Sequence, residues 1–103
     1  MILGLIYRNG EGVQQDFKKT LKWYRLSAEQ GNSAAQTKLG FMYDYGKGVL
    51  QDYKKAHMFY NLGAYNGNAL GEENRDLLAK IMTLQQISEA QDMAREWLDK
   101  HGQ

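Results

Sequence analysis

The chain has 103 residues, of which 13 are Lys or Arg and 12 are Asp or Glu, and it contains neither cysteine nor proline. Its hydrophobic fraction of 43% is sufficient for a packed core, which argues against global disorder. The net charge of +1 argues against a nucleic-acid surface, and the lack of cysteine excludes disulfides and thiolate metal sites.

The N-terminal segment MILGLIYRNG is apolar but lacks the features of a signal peptide. No basic residue precedes its apolar run, and no small-x-small cleavage site follows. No other run approaches the roughly 18 apolar residues that a membrane span requires. The sequence as written therefore predicts a soluble, cytoplasmic protein without a membrane span, and a periplasmic or secreted one if the chain is a fragment that a leader precedes.

A glycine-rich heptad occurs twice, as GEGVQQD at residues 10–16 and as GKGVLQD at residues 46–52. The offset of 36 residues holds along most of the chain. A fixed period of this length indicates stacked helix–turn–helix units. The first members of the identical pairs are Leu3, Gly4, Tyr7, Gly10, Gly12, Val13, Gln15, Asp16, Lys18, Lys19, Tyr24, Leu26, Ala28, Gly31 and Asn32.

The period divides the chain into units of about 1–32, 33–68 and 69–103, which we expect to form one repeat domain. Each unit is predicted to contain an A helix and a B helix. The A helices are expected at about 1–9, 33–45 and 69–82, and the B helices at about 17–30, 53–66 and 84–100.

Recurring residues predict where these helices begin and end. Asp16 and Asp52 are expected to cap the first two B helices, and Gly31 and Gly67 to end them. The glycine pairs at 10/12 and 46/48 predict bends between the A and B helices, with Val13 and Val49 inserted into the core.

Gly4 and Gly40 lie within the A helices, where glycine costs about 1 kcal/mol relative to alanine. The close approach of a B helix carrying Tyr24 or Tyr60 would explain them. The third unit lacks the glycine loop, and Thr83 with Gln86 instead predicts a capping box that opens a C-terminal capping helix.

The second unit, Leu39-Gly40-Phe41-Met42-Tyr43 through Gly46-Lys47-Gly48-Val49 to Asp52, Lys55-Ala56 and Phe59-Tyr60, resembles the Sel1-like repeat, a relative of the tetratricopeptide repeat. Residues 75–97 resemble the terminal unit of bacterial Sel1-like proteins. The resemblance implies an all-α, right-handed superhelical solenoid of antiparallel helix pairs, with about two and a half to three repeats.

No catalytic, cofactor or metal site is indicated by the sequence. The two histidines, His57 and His101, have no matching ligand cluster, and no H-E-x-x-H, G-x-S-x-G or P-loop motif occurs. The three serines are followed three residues later by glutamine, where a Ser-x-x-Lys enzyme needs lysine. Aromatic residues at repeat positions are expected in the core: Tyr7, Tyr24, Tyr43, Tyr60, Trp23 and Phe59.

The resemblance implies a protein–protein interaction module, an adaptor or regulatory protein that binds a protein or peptide partner in the groove of its A helices. Two alternatives remain: a periplasmic or secreted β-lactamase-like or cell-wall enzyme module, and a structural homo-oligomer that self-associates through its short N-terminal edge. The predicted groove positions are Arg8, Asn9, Thr37, Lys38, Phe41, Asp44, Tyr45, Glu73, Asn74, Leu77 and Lys80. Phe41 and Tyr45, at i and i+4, are expected to share a face.

Overall fold

A computed structural model describes residues 11–102, which form five α-helices and no strand. The helices are α1 (Glu11–Glu29), α2 (Ser33–Tyr45), α3 (Tyr53–Tyr65), α4 (Ala69–Ala79) and α5 (Leu84–His101). Helix α3 is central, because it packs against α2, α4 and α5. The prediction of an all-α helical solenoid is confirmed, with α2 and α4 as A helices and α1, α3 and α5 as B helices.

Side-chain caps begin the last four helices. The side chains of Asn32, Asp52, Asn68 and Thr83 each accept a hydrogen bond from a backbone N–H in the first turn of the following helix. At Thr83 the side chain of Gln86 also accepts from the Thr83 backbone N–H, which completes the predicted capping box. The cap predicted at Asp52 is likewise confirmed.

The glycine loop of the second unit adopts the predicted bend. Gly46 and Gly48 have φ values of 68° and 77°, a left-handed conformation that disfavours side chains with a Cβ. The loop is held against the end of α2, because the Asp52 N–H donates to the Tyr43 carbonyl at 3.0 Å. Val49 packs against the core beside it, as expected.

The corresponding prediction for the first unit is wrong. Helix α1 begins at Glu11 rather than residue 17, so Gly12 and Asp16 lie within the helix. In the second unit, contacts with the carbonyls at the end of the A helix hold the loop. The equivalent carbonyls of the first unit belong to residues 7 and 8, outside the described residues, as does the predicted A helix at 1–9.

Helix α4 ends at Ala79, three residues before the predicted end. The chain tightens there, since the N–H groups of residues 80, 81 and 82 each donate to the carbonyl three residues earlier. These i→i−3 bonds satisfy the last carbonyls of the helix and turn the chain toward Thr83. The other helix ends lie within about one residue of their expected positions.

The core is built on residues that recur in the repeat. Tyr60 is 1% exposed and Leu39 and Leu62 are fully buried or nearly so. Phe59 stacks on Tyr43 of α2 at 5.7 Å between ring centroids and meets Trp97 of α5 edge-on at 5.2 Å. These contacts join three helices, as aromatic pairs often do.

Trp23, the counterpart of Phe59, was predicted to lie in the core. This prediction is wrong, because 71% of the Trp23 surface is exposed. Phe59 is covered by Tyr43 of the neighbouring A helix. The counterpart of Tyr43 in the first unit is Tyr7, which lies outside the described residues. Leu26 shows the same contrast, being 48% exposed where its counterpart Leu62 is 1% exposed.

Gly40 makes the closest approach between α2 and α3. A Cβ built on Gly40 would lie 2.5 Å from Cδ1 of Tyr60, closer than van der Waals contact allows. The contact confirms the expected role of the glycine: the ring of Tyr60 occupies the space that a side chain would need.

We predict that Gly40→Ala lowers the free energy of unfolding by about 1–3 kcal/mol, because the cost of overpacking exceeds alanine's better helix propensity. Urea denaturation would measure the change. In a Tyr60→Ala background the same substitution should become neutral or stabilising, since the ring is gone. An equal loss in both backgrounds would contradict the close-packing explanation.

His57 of α3 is a buried histidine, with 2% of its surface exposed. Burial lowers its pKa, and the nearby Arg75 guanidinium lowers it further, whereas Asp76 acts in the opposite direction. Its Nδ1 atom has no hydrogen-bond partner within the described part of the chain. The folded protein therefore favours the neutral imidazole.

We predict that His57 makes stability fall as the pH drops below about 6.5, the ordinary histidine pKa. The unfolded chain takes up the proton first, so the contribution of His57 is complete above that pH and is lost below it, by at most about 1.4 kcal/mol per pH unit. His57→Gln should flatten the dependence between pH 6.5 and 5 in urea denaturation. His101→Gln is the control, and an unchanged slope for His57→Gln would contradict the prediction.

Candidate partner-binding groove

Helices α2 and α4, the two described A helices, touch and leave a groove between them. The groove contains two cavities of about 230 and 280 Å³. Asn74 lines both, so it marks the middle of the groove. The first cavity is also lined by Ala34, Thr37, Lys38, Phe41, Asn68 and Leu70, and the second by Asp44, Tyr45, Gln51, Tyr53, Leu77, Leu78 and Ile81.

An aromatic pair forms the α2 wall of the groove. The rings of Phe41 and Tyr45 are 4.7 Å apart between centroids, so the two side chains share a face as their spacing predicted. They are 41% and 60% exposed. The Lys38 ammonium lies 5.6 Å from the centroid of the Phe41 ring, within the range of a cation–π interaction.

The α4 wall is a stripe of exposed aliphatic side chains. Leu70, Leu77 and Ile81 are 60%, 54% and 65% exposed. Leu70 and Leu77 are about two helical turns apart, which puts them on one side of α4. Ile81 follows in the turn after the helix. Together with the aromatic pair of α2, these three side chains make both walls of the groove apolar.

Asp44 is engaged within the fold. Its Oδ2 atom accepts a hydrogen bond from the Tyr60 hydroxyl at 2.9 Å. Burial raises the pKa of Tyr60, and the hydrogen bond to Asp44 raises it further, so the phenol keeps its proton and remains a donor. Asp44 therefore lines the groove with a carboxylate that is already hydrogen-bonded.

Thr37 lines the 230 Å³ cavity but is not exposed as predicted, because only 8% of its surface is accessible. Its hydroxyl oxygen occupies the space beside Gly63 of α3 and Gly71 of α4, where neither glycine could carry a Cβ without a clash. The contact lets three helices approach one another closely. Thr37 positions the groove walls.

Two of the remaining predicted positions lie apart from the two cavities. Glu73 and Lys80 are exposed on α4 and line neither cavity. Arg8 and Asn9 lie outside the described residues.

Sequence reasoning missed Ala34, Leu70 and Ile81. The 36-residue period could have found Ile81, since Ile81 corresponds to the predicted position Tyr45, whereas Leu70 corresponds to Ala34, which was missed as well. Lys38 and Asn74, and Phe41 and Leu77, are related in the same way. The groove walls thus use equivalent positions of two successive units, with different side chains at each.

Two lysines near the groove are used within the fold. Lys54 pairs with Glu89 of α5 at 3.1 Å, and the Lys55 ammonium lies 5.4 Å from the centroid of the Tyr43 ring. Among the described residues, no cluster of three or more His, Asp or Glu side chains could hold a metal ion. None of the helices in residues 11–102 is both long and apolar enough to cross a membrane.

The sequence repeat and the close helix contacts agree with the results of comparison with known proteins. The family model described as Sel1 repeat matches residues 1–32 and 33–68. The chain belongs to the Sel1 repeat family. Sel1 repeats are generally protein–protein interaction modules, and the fold is typically non-catalytic.

A solved structure shares the architecture of this Sel1 repeat chain. It is the crystal structure of c5321, a protective antigen present in uropathogenic Escherichia coli strains, which displays an SLR fold. The two are 36% identical with a TM-score of 0.79 over 96% of this chain, which spans 21% of the length of that protein. Comparison with curated proteins gives no match.

Proposed function

We propose that the chain is a non-catalytic adaptor or regulatory binding module that holds a segment of a partner protein in the α2–α4 groove. One observation carries the proposal. Five large apolar side chains, each between 41% and 65% exposed, line this groove. A concentration of exposed apolar side chains is typical of an interaction site. The five are Phe41, Tyr45, Leu70, Leu77 and Ile81.

The groove dimensions suit a short segment. Leu70 and Ile81 are eleven residues apart, which corresponds to about 16 Å along a helix. That length accommodates about five residues of extended chain or about three turns of a partner helix. The partner would place apolar side chains in the two cavities.

Asn74 is suited to bind the main chain of such a segment. It is partly exposed between the two cavities, and its side chain makes no hydrogen bond within residues 18–102. An amide offers both a donor and an acceptor, which match the carbonyl and N–H of a peptide backbone. Apolar anchors would then supply affinity, and the amide would fix the position of the bound segment.

The chemistry of the groove favours binding over catalysis. The Asp44 carboxylate in the groove accepts a hydrogen bond from the Tyr60 hydroxyl, and the raised pKa of Tyr60 keeps this hydroxyl protonated. A general base needs a titratable group within reach of a substrate proton, and a nucleophile needs an adjacent base. The described groove residues provide neither arrangement.

We predict that Tyr45→Ala weakens capture of the partner by at least about tenfold, because an exposed aromatic anchor is lost from the groove. The measurement is affinity capture from a lysate of the organism that encodes the chain, followed by titration of the purified partner. Tyr65→Ala is the matched control, since Tyr65 is 65% exposed on α3 and lines neither groove cavity.

Circular dichroism should show that both variants fold, since both side chains are mostly exposed. If Tyr45→Ala and Tyr65→Ala retain the partner equally, the groove is not the binding site. If the wild type captures only further copies of itself, self-association replaces the adaptor role.

A further inference from the structure

The near-zero net charge of the chain conceals a separation of charge along the repeat array. Residues 18–55 contain eight Lys or Arg and three Asp or Glu, a net charge of +5. Residues 56–102 contain four Lys or Arg and seven Asp or Glu, a net charge of −3. Helix α2 therefore belongs to the positive half of the described chain.

Internal contacts engage acidic side chains in the positive half. Asp44 accepts the hydrogen bond of Tyr60, and Asp52 accepts the Lys55 backbone N–H at 3.1 Å. Within residues 18–102, Lys54 is the one lysine of this half that forms an ion pair, and its partner is Glu89 of α5. Residues 18–55 thus keep a net positive charge, and Lys38 is the basic residue among them that lines the groove cavities.

Lys38 places one of these positive charges in the groove. It is exposed and, within residues 18–102, is the one charged residue that lines the 230 Å³ cavity, beside Phe41 and Leu70. It also lines a neighbouring cavity of about 380 Å³ between α1 and α2, together with Lys47 and Tyr24. No acidic side chain of the described residues lines either cavity.

We infer that the groove selects an acidic partner: a segment in which an Asp or Glu lies next to a large apolar side chain. The apolar side chain occupies the cavity beside Phe41, and the carboxylate pairs with Lys38. This inference rests on the proposed function, since it specifies the partner of the same groove. Charge complementarity of this kind acts chiefly on specificity and on the rate of association.

A selection experiment tests the inference without knowledge of the natural partner. A phage library of random 12-residue peptides is selected on the full chain and counter-selected on the Tyr45→Ala variant, so that groove-dependent peptides are kept. We expect these peptides to be enriched in Asp or Glu beside Phe, Tyr, Trp, Leu, Ile or Met. Enrichment of apolar residues without acidic ones, or with Lys and Arg, would overturn the inference and leave the groove function standing.

If the selection yields no peptide that depends on Tyr45, the proposed function itself fails, and the inference fails with it. The two failures are therefore distinguishable.

A fluorescein-labelled copy of the most enriched peptide then tests Lys38 directly. In fluorescence polarisation, Lys38→Glu should weaken binding about tenfold, since an attraction becomes a repulsion, and wild-type affinity should fall as salt is raised. Lys80→Glu is the matched control, an exposed lysine outside both cavities, and should change affinity less than about twofold. Equal effects of the two substitutions, or no dependence on salt, would overturn the role of Lys38.

Discussion

The contact between Gly40 and Tyr60 determines how closely α2 and α3 approach, and the rest of the groove depends on that spacing. Because Gly40 has no Cβ, the ring of Tyr60 lies directly against the backbone of α2. The same ring carries the hydroxyl that donates to Asp44 at 2.9 Å. One residue of α3 thus sets the distance of α2 and also forms a hydrogen bond with a carboxylate in the groove. This explains why glycine is present within a helix despite its low helix propensity.

A second close contact brings α4 into place. Thr37 of α2 lies against both Gly63 of α3 and Gly71 of α4, and a Cβ on Gly71 would lie 2.8 Å from the Tyr60 carbonyl oxygen. The buried Gln36 adds a link between units, since its side chain donates to the Ala28 carbonyl and accepts from the Asn66 amide. Residues on the inner side of α2 therefore build the scaffold, whereas Phe41 and Tyr45 on the outer side are exposed.

The sequence predicted the parts of this fold that depend on neighbouring residues or on the repeat itself. The 36-residue period located the helices of the second and third units, the cap at Asp52 and the contact of Gly40 with Tyr60, and the Thr-x-x-Gln pattern located the cap at Thr83. Predictions failed where a side chain depends on its surroundings. Thr37 was expected to be exposed because the resemblance places it at a groove position of an A helix, but two glycines on other helices make room for it. Trp23 matches Phe59 in the repeat but lacks its cover within the described residues.

The candidate groove was only partly predictable for a related reason. Phe41, Tyr45 and Lys38 could be identified from the pattern of one A helix. Leu70 and Ile81 occupy positions equivalent to Ala34 and Tyr45, but their side chains differ from those counterparts, so sequence identity between the units did not reveal them. The scaffold positions repeat because the packing repeats. The groove positions differ between the units because that packing does not constrain them.

Methyl NMR of the chain with its captured partner tests the central claim most directly. The methyl signals of Leu70, Leu77 and Ile81 report on the groove, and Leu84, which is 86% exposed outside both cavities, is an internal reference. The account predicts that the three groove signals shift on titration with the partner while the Leu84 signals stay in place. Shifts at Leu84 with unchanged groove signals would place the partner elsewhere and contradict the account.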